Sequence, residues 1–185
     1  MRSLALGSVA AAVVMYALGF LFFGVFSGLA FDALDANAQS ALQSALGGGL
    51  VHSGTYMIPA DETAWMAGPS AVVNFVAAGD SPSVTQSMVA GFIHMLVTAF
   101  LIGLAVKAIG GDFARKSRAV LWFGIAASLF MHLGDPVWMG FSWKYGLWVA
   151  TFDAVMFIAA GLVLARWFTG TATAAMPTGA AAPAE

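Results

Sequence analysis

The sequence predicts an all-α membrane protein. Four transmembrane helices form a bundle, and a small extracytoplasmic cap of one helix and a β-ribbon sits between the first and second. Three observations predict it. Of the 185 residues, 61% are hydrophobic and only 9% charged, whereas soluble domains carry about 25% charged residues. The mean hydropathy is +0.88. Four stretches also come close to the roughly 20 apolar residues that a helix needs to cross a bilayer. None alternates as the strands of a membrane barrel do. Outside a closed barrel, a segment in lipid must satisfy its backbone internally, which leaves the helix.

No charge falls between Arg2 and Asp32, and the first span is expected over residues 4–26. That run exceeds the about 7–15 apolar residues of a signal-peptide core, so an uncleaved anchor is expected. The second span is expected over 87–107. The third, over 115–134, is short between Arg118 and Asp135. Arg115, Lys116 and Arg118 are expected to snorkel and lengthen it, and Pro136 to end it. The fourth is expected over 145–167 and encloses Asp153. Residues 1–168 thus form the transmembrane domain, with an insertion at 31–86.

Basic residues set the orientation. Arg2, Lys107, Arg115, Lys116, Arg118 and Arg166 fall on one side of this topology, and Lys144 is the exception. Asp32, Asp35, Asp61, Glu62, Asp80 and Asp135 fall on the other. The positive-inside rule then places both termini in the cytoplasm and the 31–86 loop outside. The expected location is a bacterial inner (cytoplasmic) membrane, crossed several times, with a periplasmic loop. Trp138, Trp143 and Trp148 gather at the expected outer interface and Trp122 and Trp167 at the inner one, as an aromatic belt would.

In the insertion, Leu34, Ala38, Leu42 and Leu46 recur at helical spacing, and Gly47-Gly48-Gly49 is the expected stop. Gly54-Thr55-Tyr56-Met57-Ile58-Pro59 and Ala71-Val72-Val73-Asn74-Phe75-Val76 read as two strands. Gly68-Pro69 and Gly79-Asp80-Ser81-Pro82 punctuate them. Asp61 and Glu62 are expected in a solvated turn. A two-stranded ribbon is marginal in water and is expected to pack on the helix, the bundle or a partner. Residues 169–185 are low in complexity and read as a flexible cytoplasmic tail.

Several function classes are excluded. Seven Lys/Arg residues cannot cover a phosphate backbone, so no nucleic acid is expected as a partner. The chain has no cysteine, which excludes disulfides, thiolate zinc, iron–sulfur clusters and a lipoprotein anchor. Gly47–Gly49 lack the Lys and Ser/Thr of a phosphate-binding loop, and there is no GxSxG nucleophile elbow. No catalytic residue is assigned.

Ionisable groups are expensive within a bilayer and become functional candidates by default. The spans hold three: His94, His132 and Asp153. Ser87, Gly91, His94 and Thr98 share one helical stripe; Gly124, Ser128, His132 and Asp135 share another; Gly146, Ala150, Asp153 and Ala160 a third. Small residues beside a polar one mark helix–helix faces, so all three groups are expected to point inward. At about 1.5 Å per residue, His94 lies ~9–11 Å, His132 ~4–7 Å and Asp153 ~12 Å below the outer boundary. Tyr16 is placed to cap the cluster. The cluster reads as a register-fixing network, as a proton-linked or small-ligand site, as a metal site on His94 and His132 with Asp153, or as a bis-histidine haem site. No cofactor is assigned. His52, in the insertion, is expected to be exposed.

The segments Gly54-Thr55-Tyr56-Met57-Ile58-Pro59, Gly68-Pro69 and Trp138-Met139-Gly140-Phe141 resemble a set of small bacterial inner-membrane proteins. These combine a G-x-Y-x-x-P loop and a later Gly-Pro with W-x-G-F before the last helix. The resemblance implies the four-helix topology and transfers no activity. The function expected from the sequence is a non-catalytic accessory or structural component of a membrane or envelope complex. Its partners would be the bilayer and a membrane protein or further copies of itself. The alternatives are a proton-coupled or small-ligand site, and a haem- or metal-binding redox protein.

Overall fold

The computed structural model describes residues 4–169. The expected tail lies outside the described residues apart from Thr169. The chain forms two compact units, one of Met1–Phe31 with Val89–Glu185 and one of Asp32–Met88.

In the first unit, α1 (Leu4–Gly19) runs on through a π-helical turn, Phe20–Val25, followed by a short 3₁₀ turn. The chain returns in α4 (Val84–Ile109), α5 (Phe113–Met139) and α6 (Trp143–Trp167). With its π-helical turn, the first helix is 22 residues long, and the others are 26, 27 and 25. All four are long and apolar enough to cross a membrane. The last three are longer than expected at specific ends. Ser83 and Gln86 form a capping box, Gln86 N–H donating to Ser83 Oγ at 3.2 Å and Ser83 N–H to Gln86 Oε1 at 2.8 Å. This starts α4 at Val84. Asp112 caps α5 through the Arg115 N–H at 2.8 Å.

Pro136 does not end α5. Its ring is buried within the helix, which continues to Met139 and stops at Gly140, whose φ of 67° is left-handed. Glycine takes that conformation without a Cβ clash.

The helices run alternately up and down. α6 is central and packs against α1 and α5 through small residues. A Cβ at Gly161 would stand 2.3 Å from a Val120 methyl, and one at Gly146 2.7 Å from Pro136 Cγ. Gly124 receives Ile158 and Phe157. On α1, Gly7 receives Phe168 and Leu164, and Gly103 of α4 receives Leu4 and Leu164. The core joins Ala11, Ala12 and Met15 of α1, Ala99 of α4, and Phe152, Met156, Ala160 and Leu164 of α6. Away from it, large apolar side chains lie open, with Phe130 at 87% and Phe123 at 72% exposure. Helices apolar on all sides belong to an apolar surrounding rather than to water.

The second unit holds α2 (Ala36–Gly49), β1 (Gly54–Ile58), α3 (Glu62–Ala67) and β2 (Ala71–Phe75). Asp35 caps α2, accepting from Asn37 and Ala38 N–H at 2.9 and 2.8 Å. The three glycines expected to stop the helix lie inside it, and Leu50 ends it. The strands pair antiparallel, Gly54 opposite Phe75 and Ile58 opposite Ala71. Thr55 donates across them to Asn74 Oδ1 at 2.7 Å. Beyond the ribbon, Ser53 Oγ accepts from Ala77 N–H at 2.9 Å and donates to Asp80 at 2.5 Å. The expected turn at Asp61 and Glu62 is a helix start: Asp61 accepts from Ala64 N–H at 2.9 Å and caps α3. No residue from Asp32 to Met88 is buried.

A packing test follows from Gly161. Val120 is β-branched and stiff in a helix, so Gly161→Ala forces the two helices apart, at a cost of about 1–3 kcal/mol. Thermal denaturation in detergent is expected to show that loss, and Val120→Ala in the same chain to restore most of it. A Gly161→Ala protein that melts with the native one would refute this contact.

Candidate functional site

The inward polar site is a pair. His132 projects from α5 and Asp153 from α6, and the helices hold His132 Nε2 2.5 Å from Asp153 Oδ2. The side chains are 20% and 19% exposed. One proton lies between the two groups in this hydrogen bond. Both residues sit on the stripes drawn from sequence. Gly124 and Ser128 of the α5 stripe are buried, and Ser128 Oγ donates to the Gly124 carbonyl at 2.8 Å. Gly146, Ala150 and Ala160 of the α6 stripe are buried as well. Asp135, assigned to the α5 stripe, is exposed instead.

Proline bears on the same place. Pro136 has no N–H to offer the carbonyl four residues earlier, which is that of His132. A Cβ at Gly146 would stand 3.3 Å from that oxygen. Glycine there lets the α6 backbone come close to the proline turn.

His94 does not join the pair. Its side chain is exposed, and α4 turns Ala99, Gly103 and Val106 inward in its place. The expectation that all three ionisable groups face inward is therefore corrected at His94. α4 carries two stripes of small residues, and the one at Ala99 and Gly103 meets the Leu164 side chain. Tyr16 of α1 faces α4. Its ring meets Phe92 edge-on at 5.9 Å, and Gly91 leaves space beside it. Among the described residues, no three His, Asp or Glu side chains gather in a metal-holding group. Nor do two histidines face one another across an apolar slot, since His132 is bonded to Asp153 and His94 points outward.

Of the expected anchors, Trp138 and Trp143 are exposed at 82% and 53%. Trp148 differs. It packs on Phe22 with ring centroids 5.4 Å apart, and its indole N–H is buried without a hydrogen-bond partner among the described residues. His52 is exposed, and its carbonyl accepts from the Tyr56 hydroxyl at 2.7 Å.

Lys116 was expected to snorkel. It is 1% exposed, and its ammonium donates to Thr169 Oγ1 at 3.1 Å and to the Thr169 carbonyl at 3.4 Å. The charge thereby sits at the C-terminal end of α6, where the helix dipole favours a cation. Its position four residues before Val120, which packs on Gly161, is the sequence signal for this orientation. Arg115 and Arg118 remain exposed.

No family model, curated protein or solved structure matches the chain.

What the site can do is hold a hydrogen bond, and a proton, between two helices. Two grooves of about 690 and 340 Å³ have almost wholly apolar linings, and neither includes His132 or Asp153.

Removing one partner strands the other. His132→Leu and Asp153→Leu are each expected to destabilise the detergent-solubilised chain. The double variant should lose less than the sum of the two, by a coupling of about 0.6–1.7 kcal/mol, from the average to the largest value measured for polar pairs between membrane helices. His94→Leu should stay within about 0.5 kcal/mol of the native chain. Additive single effects in a thermal-melt cycle would refute the pairing.

Proposed function

We propose that the chain is a non-catalytic accessory or structural component of a membrane complex, embedded in a bacterial inner membrane with both termini in the cytoplasm. The observation that carries this reading is the state of the Asp32–Met88 unit. It has secondary structure but no buried residue, and Val51 and Met66 are 77% and 80% exposed. A two-stranded ribbon needs packing on one face to be stable. A partner protein, or a further copy of the chain, supplies that face.

The polar groups agree with a structural role. His132 and Asp153 are engaged with each other, and Tyr16 with Phe92. Orientation follows from charge. Antiparallel packing gathers Lys107, Arg115, Arg118 and Arg166 at one end of the helices, with Arg166 over the Phe113 ring at 6.0 Å. The positive-inside rule assigns that end to the cytoplasm and the insertion to the periplasm.

A second reading, a proton-linked or small-ligand site, draws on the one-fifth exposure of His132 and Asp153. Asp153→Asn keeps the shape and the hydrogen bond while removing the charge. A variant that keeps its stability but loses a pH-dependent activity of the native membrane would favour this reading.

The chain has no cysteine, so one introduced thiol reports on one place. Met66→Cys is expected to react slowly with a membrane-impermeant maleimide in native membranes. It should react several-fold faster once the protein is purified and reconstituted in liposomes of the same lipid. Equal rates would refute a covering partner protein and leave a further copy of the chain as the cover. In intact spheroplasts Met66→Cys is expected to be labelled and Ala114→Cys spared, and the reverse pattern would invert the topology.

A further inference from the structure

At the basic end of the helices, α4 and α5 diverge around an apolar groove of about 690 Å³. Ile102 and Ile109 of α4 and Ala119, Trp122 and Phe123 of α5 form its walls, and Phe157 of α6 lies behind. From Ile102 to Ile109 the groove runs about 10 Å along the helix, at ~1.5 Å per residue. Its volume falls within the about 300–1,000 Å³ of small-ligand sites. Trp122 and Phe123 are 68% and 72% exposed, so two aromatic rings line an open slot.

The mouth is cationic. Arg115 and Arg118 stand one turn before Ala119 and Trp122 on the same face of α5, at spacings of three and four residues. The Arg115 side chain is folded over the loop at Gly111, where a Cβ would stand 2.9 Å from its Cδ. Both arginines are exposed, and among the described residues no ion pair engages either. The adjacent acid, Asp112, accepts from the Arg115 backbone N–H.

We propose that this groove binds an anionic phospholipid, one acyl chain lying against Trp122 and Phe123 and the phosphate held by Arg115 and Arg118. The site goes beyond the accessory role and rests only on membrane residence. Charge complementarity selects this occupant over a second copy. Copies in one membrane share an orientation, so pairing through this face would bring Arg115 and Arg118 against the same two cations. A phosphate neutralises them, and Arg matches its oxygens with a planar fork of donors. Basic pockets between membrane helices bind acidic headgroups by the same chemistry.

The test uses the full chain extracted from membranes in a neutral detergent, so that membrane residence is established before lipid is added. Phosphatidylglycerol and phosphatidylcholine with identical acyl chains are titrated in, and bound lipid is counted by native mass spectrometry. Two cations at a membrane surface correspond to a preference for phosphatidylglycerol of about ten- to thirtyfold. Arg115→Gln with Arg118→Gln is expected to bring the ratio close to unity while phosphatidylcholine binding persists. Ala119→Phe, which fills the slot, should lower retention of both lipids, and Lys144→Gln at the opposite end should leave the preference intact. Circular dichroism confirms that each variant is folded. Equal uptake of the two lipids by the native chain would overturn the proposal. So would a preference that survives loss of both arginines or that falls equally with Lys144→Gln, or a dimer whose dissociation by Ala119→Phe marks the groove as a protein interface.

Discussion

Helices surrounded by hydrocarbon gain little from burying one apolar face rather than another, so their association depends on how closely their backbones can approach. α6 meets that constraint with glycine and alanine. Gly146 admits Pro136, Gly161 admits Val120, and Ala160 sits in the core beside Ala11, Ala12 and Ala99. Leu164 reaches both Gly7 of α1 and Gly103 of α4. The alternating arrangement of the four helices and the meeting of His132 with Asp153 all follow from those contacts.

Close packing also decides where polar groups go. An unmatched polar atom is expensive where water is scarce, and most such atoms here find partners locally. Ser8 donates to the Leu4 carbonyl at 2.9 Å, Ser128 to Gly124 at 2.8 Å and Thr151 to Leu147 at 2.8 Å. A hydroxyl can donate to the carbonyl one turn back, whereas His132 and Asp153 bond each other across the two helices. Ser117 and the Trp148 indole are the exceptions, each with a buried polar atom and no partner among the described residues.

Much of this was legible in the sequence. The four helices, the two strands and the inward stripes of α5 and α6 follow from length, hydropathy and small-residue spacing. α4 was misread because its residues are apolar all round. No contrast between faces distinguishes Gly91 and His94 from Ala99 and Gly103, and the choice is made by Leu164, far off in the chain. Pro136 was taken as a stop because proline costs a helix one hydrogen bond. That cost is tolerated where Gly146 lets the next helix pack against the ring. The α3 helix was missed because six residues give no periodicity, although Asp61 followed by Ala64 is an adequate cap. Gly47–Gly49 show the converse: glycine lowers helix propensity without forbidding the conformation.

The burial of Lys116 bears on how the chain is built. Its ammonium donates to Thr169, just past the end of α6. Fraying of the last turn of α6 therefore takes two acceptors from a buried cation on α5. The end of one helix and the start of the other are thus held by a charge as well as by packing.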